Sequence, residues 1–182
     1  MSDILWIRRD LRIHDNPALV SAVENGVSIA VFISTPQQWQ QHHLAPIKAD
    51  FIYRHLKQFE SQLAEFGITL LHLKATDFND QATQLINLCK QVDATCVYAN
   101  SEPEVDEQLR DKRLIATGIK LKITDCDTIL PLGSVLNKQG EMFKVFTPFK
   151  NAWLKEVQAK GIICSHAPVH SKGSAQAGSA QA

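Results

Sequence analysis

Residues 6–19, WIRRDLRIHDNPAL, decide how this chain is read. The stretch opens as the end of a short, continuously apolar strand, Ile4–Ile7, the pattern of a parallel strand covered on both faces. Arg8–Asp15 is a charged loop. Asn16 can accept a hydrogen bond from a backbone N–H of the first helical turn, and Pro17 suits the first helical position because its missing N–H has no helical partner there. The helix runs to about Glu24 and stops before Gly26. Strand, loop and helix in that order are the first unit of an open α/β sheet.

The same rhythm continues. Val27–Ile33 reads as a second strand, followed by a polar, irregular stretch, Ser34–Leu44. Pro46 opens a long helix with Ile52, Leu56, Phe59, Leu63 and Phe66 on one face, and Gly67 closes it. Thr69–Leu73 is strand three. Thr76 or Asp77 starts a helix with Ala82, Leu85, Ile86, Cys89 and Val92 inside. Thr95–Ala99 is strand four, Pro103–Thr117 a charged and mostly solvated helix, and Lys120–Thr124 a strand near the sheet edge. The predicted fold class is α/β: a five-stranded parallel sheet with right-handed crossovers, helices on both faces and strand order 3-2-1-4-5. Beyond Asp125 the rhythm changes. Asn137–Gly140 reads as a turn flanked by short strands at Val135-Leu136 and Met142-Phe143. Thr147 or Pro148 begins a last helix with Phe149, Trp153 and Val157 at i, i+4 and i+8.

Bulk properties narrow the function. The 182 residues suffice for one full domain. Nineteen basic side chains balance nineteen acidic ones, which argues against a bulk electrostatic hold on nucleic acid or an anionic membrane. No apolar run approaches the roughly 20 residues that span a bilayer. The charged N-terminus, MSDILWIRRD, lacks the core of a signal peptide, so a cytoplasmic location is expected. Cys89, Cys96, Cys126 and Cys164 are scattered, with no metal-ligand spacing, and read as reduced, mostly buried thiols. The final ten residues, GSAQAGSAQA, repeat a small, polar pentapeptide and read as a linker or scar at 173–182. The domain proper is 1–172, expected to be cut from a longer protein.

In a doubly wound sheet, ligands bind at the carboxyl ends of the strands where strand order reverses. With order 3-2-1-4-5, Arg8–Asp15 and Asn100–Glu107 face one crevice, and the insertion carrying His42 and His43 leaves from the same side. The first loop has no glycine, and neither GxGxxG nor GxxxxGK[ST] occurs, which argues against an NAD or P-loop site. The charges of Arg8–Asp15 either form ion pairs that fix the loop and seat a neighbouring domain, or touch a ligand. Asp106 and Glu107 either favour the positive end of their helix or accept hydrogen bonds from a planar heterocycle. His42 and His43 line the crevice or the surface. No nucleophile–base set, paired-carboxylate spacing or metal site stands out.

Three segments together, WIRRDLRIHDNPAL, TPQQW at 35–39 and KVFTPFKNAWLK at 144–155, resemble the DNA photolyase and cryptochrome family. The last is most similar to bacterial photolyases that repair cyclobutane pyrimidine dimers, and the resemblance spans about residues 3–170. It implies the N-terminal Rossmann-like domain that houses a light-harvesting antenna chromophore, methenyltetrahydrofolate in many bacterial members and a deazaflavin in others. It places FAD, damaged DNA and catalysis in a following helical domain, the implied partner. Folate-binding members contact the pterin through an Asn-Glu pair. In EPEVDEQLRD, Asp106 takes the asparagine position and Glu107 the glutamate position, and His42 lies in the segment bordering the pocket. An ionised Asp106 only accepts hydrogen bonds where an amide would also donate.

Overall fold

A computed structural model describes residues 2–169. The expected linker at 173–182 lies outside them. The chain alternates strand and helix as β1 (Ile4–Ile7), α1 (Pro17–Glu24), β2 (Ile29–Ser34), α2 (Pro36–Gln41), α3 (Pro46–Glu65), β3 (Thr69–Lys74), α4 (Phe78–Gln91), β4 (Cys96–Asn100), α5 (Val105–Ala116) and β5 (Lys120–Thr124), then ends in α6 (Phe146–Lys160). The sheet is parallel throughout, in the order β3-β2-β1-β4-β5. This is the predicted fold.

Pleating explains why β1 is apolar without interruption. Leu5 and Ile7 point into a core built with Leu19 and Ala22 of α1 and Leu56, Phe59 and Leu63 of α3. Ile4 and Trp6 point the other way, among Leu85, Leu88 and Cys89 of α4 and Leu114 of α5. All four strand residues are buried, so neither face can be polar.

The switch point between β1 and β4 is held by side chains of the opening loop. Asn16 accepts from Leu19 N at 3.1 Å, as an N-cap should, and donates to the Asp10 and Arg12 carbonyls. Asn100, at the end of β4, donates to Asn16 Oδ1 at 2.7 Å and to Asp10, and accepts from Ala18 N. Asp10 also accepts from Arg8 N at 2.8 Å. Asn16→Ala should therefore cost about 2–4 kcal/mol, the loss of a cap plus partners stranded in a buried site. Urea unfolding checks this, and a cost below about 1 kcal/mol would contradict it.

Several expectations need correction. Residues 36–41 form the short helix α2, not irregular chain. It buries no residue, so it carries no apolar periodicity to read. His42 is its C-cap residue, and His43 follows with a φ of 55°. Val135-Leu136 and Met142-Phe143 form no strands. The turn between them exists, with Asn137 Oδ1 accepting from Gln139 N and Glu141 N, but no ladder follows it. Helix α6 starts at Phe146, which leaves Pro148 in its first turn where proline is tolerated. Of the cysteines, Cys89 and Cys96 are buried, Cys126 is half-buried and Cys164 is exposed; all are free thiols.

Candidate functional site

At the carboxyl ends of β1 and β2 lies a cavity of about 740 Å³, within the usual range for a small-molecule site. Its floor is Trp6, Ile7, Phe32 and Ile33. One wall is Trp39 and His42 of α2 with Phe51, Ile52 and His55 of α3. The opposite wall is Glu102, Glu104, Asp106, Glu107 and Arg110, at and before the start of α5. The three residues singled out by sequence, His42, Asp106 and Glu107, thus line one cavity. His43 does not. Of the three, Asp106 and His42 are exposed and Glu107 is half-buried.

Beneath the acidic wall sits a buried ion network. Two guanidinium groups pack on Trp6, with Arg8 Cζ 4.1 Å and Arg110 Cζ 4.5 Å from its ring centroid. Arg8 donates to Asp111 at 2.9 Å and to the Asn100 carbonyl at 3.0 Å. Arg110 donates to Glu102 at 2.9 Å, to Asp111 and to Gln81 Oε1. Burial, and then the neighbouring Arg110, lower the pKa of Arg8; the two carboxylates oppose this. The Arg8–Asp15 loop therefore spends its first charges inside the domain. Arg9, on the surface, pairs with Glu104 at 2.6 Å and with Glu102 at 3.0 Å.

This network also corrects the reading of α5. Its charges look solvated in sequence, yet Arg110 and Asp111 are buried beside Leu114. No apolar spacing marks them; the only legible hint was a charged loop at the neighbouring strand end. The aromatic wall was equally hidden. Phe51 and His55 sit one turn apart with rings stacked at 5.9 Å, and His55 Nε2 donates to the Leu11 carbonyl at 2.6 Å.

Burial raises the pKa of Glu107 above the usual carboxylate value, and Glu102 and Glu104 add to the shift; Arg110 opposes it. A raised folded-state pKa means that ionised Glu107 destabilises the folded chain. The penalty is present above that pKa and absent below the ordinary carboxylate value. Glu107→Gln should raise the Tm at pH 7 by roughly 1–3 °C, with the gain vanishing near pH 3. Calorimetry at both pH values checks this; an equal gain at both would contradict it.

The elements so far define a class: a doubly wound α/β domain whose switch-point cavity has an acidic wall, an aromatic wall and no glycine-rich phosphate loop. Among the described residues no group of three His, Cys, Asp or Glu is placed to hold a metal ion, and no helix is long and apolar enough to cross a membrane. The DNA photolyase family model matches residues 3–170. The deoxyribodipyrimidine photo-lyase of Vibrio cholerae is 45% identical over 171 residues, which is 91% of this chain and 36% of the relative. That of Escherichia coli is 38% identical, covering 94% and 37%. Cryptochrome-1 of Arabidopsis thaliana is 30% identical over 80% of this chain and 22% of its own length. The fold matches a solved class III photolyase from Agrobacterium tumefaciens (TM-score 0.66, 22% identity, 92% of this chain and 34% of that one) and a Synechocystis cryptochrome (TM-score 0.69, 24% identity, 92% and 36%). This chain belongs to the DNA photolyase and cryptochrome family, as its N-terminal domain. It spans about a third of the length of the curated relatives it matches.

Proposed function

We propose that the cavity binds a light-harvesting antenna chromophore and that methenyltetrahydrofolate is its ligand, with a deazaflavin as the alternative. The observation that carries the reading is the convergence of Glu107, Asp106 and His42 on one cavity large enough for a heteroaromatic dye. The residues fit such a group chemically. A pterin presents ring N–H and amino donors, and the α5 wall offers carboxylate acceptors. Gln38 and Trp39 stand across from it on α2, and Gln38 Oε1 is buried with no hydrogen-bond partner among the described residues. A turn of that amide would bring a further acceptor to the cavity. Phe51 and His55 supply flat apolar surface for stacking.

The protein's task in this reading is positional. Glu107 accepts from the donor edge of the heterocycle, and a charge-assisted bond there fixes its in-plane orientation. The aromatic wall excludes water from one face. Trp6, packed against Arg8 and Arg110, makes part of the floor. When bound, the chromophore absorbs near-UV light and passes the excitation on by resonance, a process that asks for no nucleophile or general base. FAD binding, recognition of damaged DNA and repair are assigned to the segment that the longer relatives carry beyond the matched third. The chain by itself is accordingly inactive in repair.

The test is a difference-absorption titration of the purified chain with methenyltetrahydrofolate and, separately, with a deazaflavin. A saturable shift of the dye's near-UV band supports the reading, and the dye giving tighter saturation identifies the ligand. Unchanged spectra with both dyes would overturn it.

A further inference from the structure

The cavity at the switch point has two electrical sides. Arg8, Arg9, Arg12, Lys48 and Arg110 all line it. Three of these cations are neutralised within the chain: Arg8 pairs with Asp111, Arg110 with Glu102 and Arg9 with Glu104. Arg12 and Lys48 have no carboxylate partner among the described residues. The acids divide in the same way. Glu102 and Glu104 are held by arginines, whereas Asp106 and Glu107 form no ion pair among the described residues. With the internal pairs set aside, Asp106 and Glu107 remain as free anions on the α5 wall, and Arg12 and Lys48 remain as free cations on the rest of the lining.

The free cations belong to one side. Lys48 lies in the first turn of α3, one turn before Phe51 and Ile52 of the aromatic wall. The loop that carries Arg12 is tied to the same helix, since the Leu11 carbonyl accepts from His55. Arg12 donates through Nε and Nη2 to the Asp15 carbonyl at 3.2 and 2.9 Å, which fixes the guanidinium and leaves Nη1 with no partner among the described residues. A carbonyl supplies no counter-charge. Arg12 is half-buried, so its charge is partly desolvated, and Lys48 is exposed on a long, flexible stem. We infer that Arg12 and Lys48 form an anion subsite for the side arm of the dye, taking its carboxylate or phosphate while Asp106 and Glu107 take the donor edge of the ring. This rests on the reading that the cavity binds a dye. The arm of methenyltetrahydrofolate ends in glutamyl carboxylates, and the phosphodiester arm of a deazaflavin carries an anion of the same kind. A ligand with donors at one end and an anion at the other fits this cavity in one direction only, because the reverse sets its anion against Asp106 and Glu107. The subsite thereby sets the direction of the bound ring, on which resonance transfer depends.

The experiment compares dyes with and without their anionic arm by absorption titration of the chain. Methenyltetrahydrofolate is set against the methylamide of methenyltetrahydropteroate, which keeps the chromophore and lacks both glutamyl carboxylates. A deazaflavin with its phosphodiester arm is set against the same ring without it. The pair that saturates tells carboxylate from phosphate. The armed dye should bind about 10-fold more tightly than the bare one at low salt, and the preference should shrink to about twofold or less near 1 M salt. Arg12→Gln and Lys48→Gln should each cut the preference by about threefold while leaving affinity for the bare dye unchanged. Lys48→Gln carries the test should Arg12→Gln not fold, since Lys48 is exposed and pairs with no carboxylate. Equal affinities for armed and bare dyes would overturn the subsite and leave dye binding standing. So would variants that weaken both dyes alike, because the two residues would then act on the shape of the cavity rather than on the arm. Binding of neither pair would overturn the dye reading and the subsite with it.

Discussion

Arg110→Ala should lower the unfolding free energy by about 3–5 kcal/mol, the largest single-residue effect expected outside the apolar core. Arg110 is 2% exposed and holds Glu102, Asp111 and Gln81 at once. Its removal leaves two buried carboxylates facing one buried cation, Arg8, whose own pKa burial already depresses. It also strips one guanidinium from Trp6. Against a typical domain stability of about 5–15 kcal/mol, such a loss moves the urea midpoint far enough to read without ambiguity. The mechanism makes a second demand. Adding Glu102→Gln to Arg110→Leu should restore at least half of the loss, because it removes the surplus buried charge while Arg8 keeps Asp111 as its counter-ion. A single-variant cost under about 1 kcal/mol would show that the network is solvated.

Glu107→Ala should weaken methenyltetrahydrofolate binding by roughly 10- to 100-fold, the equivalent of one charge-assisted hydrogen bond in a partly enclosed site. Glu107 is the half-buried acid of the pair, so its bond is the less screened. Asp106→Ala should cost at most a few-fold, since Asp106 is exposed. Asp106→Asn should strengthen binding instead, because an amide offers a donor as well as an acceptor to the pterin edge. Binding should also weaken as pH falls through the raised pKa of Glu107, since the protonated acid loses its charge. Titrations of the three variants at pH 7, and of the unaltered chain at pH 5 and 7, give these comparisons. Equal affinities for Glu107→Ala and the unaltered chain would remove Glu107 from the site.

The sheet was legible because both of its faces are buried. Ile4–Ile7 has no solvent side, and alternating strand and helix leave few topologies once connections are right-handed. Asn16-Pro17 marked the start of α1 for the same local reason that it caps the helix in the structure. Elements without a buried face were opaque. Helix α2 makes its turn from Pro36 and four glutamines, and nothing apolar repeats along it. Charged groups were misread for a related reason. On α5, Arg110 and Asp111 look like the solvated residues around them, and only the third dimension brings Arg8 and Glu102 to meet them.

The candidate site was legible in its acidic wall and, on the opposite wall, in His42 alone. Strand order alone put the β1 loop and the start of α5 on one crevice, which brought Asp106 and Glu107 into view. Phe51 and His55 fall beside the stripe of Ile52, Leu56 and Phe59 that seats α3 on the sheet. A helix pattern read for its core face passes over residues that serve the neighbouring cavity.

The most direct measurement of the central claim is the fluorescence anisotropy of methenyltetrahydrofolate, and in parallel of a deazaflavin, as this chain is added. The dye should acquire the slow tumbling of a 20.3 kDa protein, saturably, and Glu107→Ala should shift the curve to higher protein concentration. Free-dye anisotropy for both compounds at the highest protein concentration would contradict an antenna-binding domain.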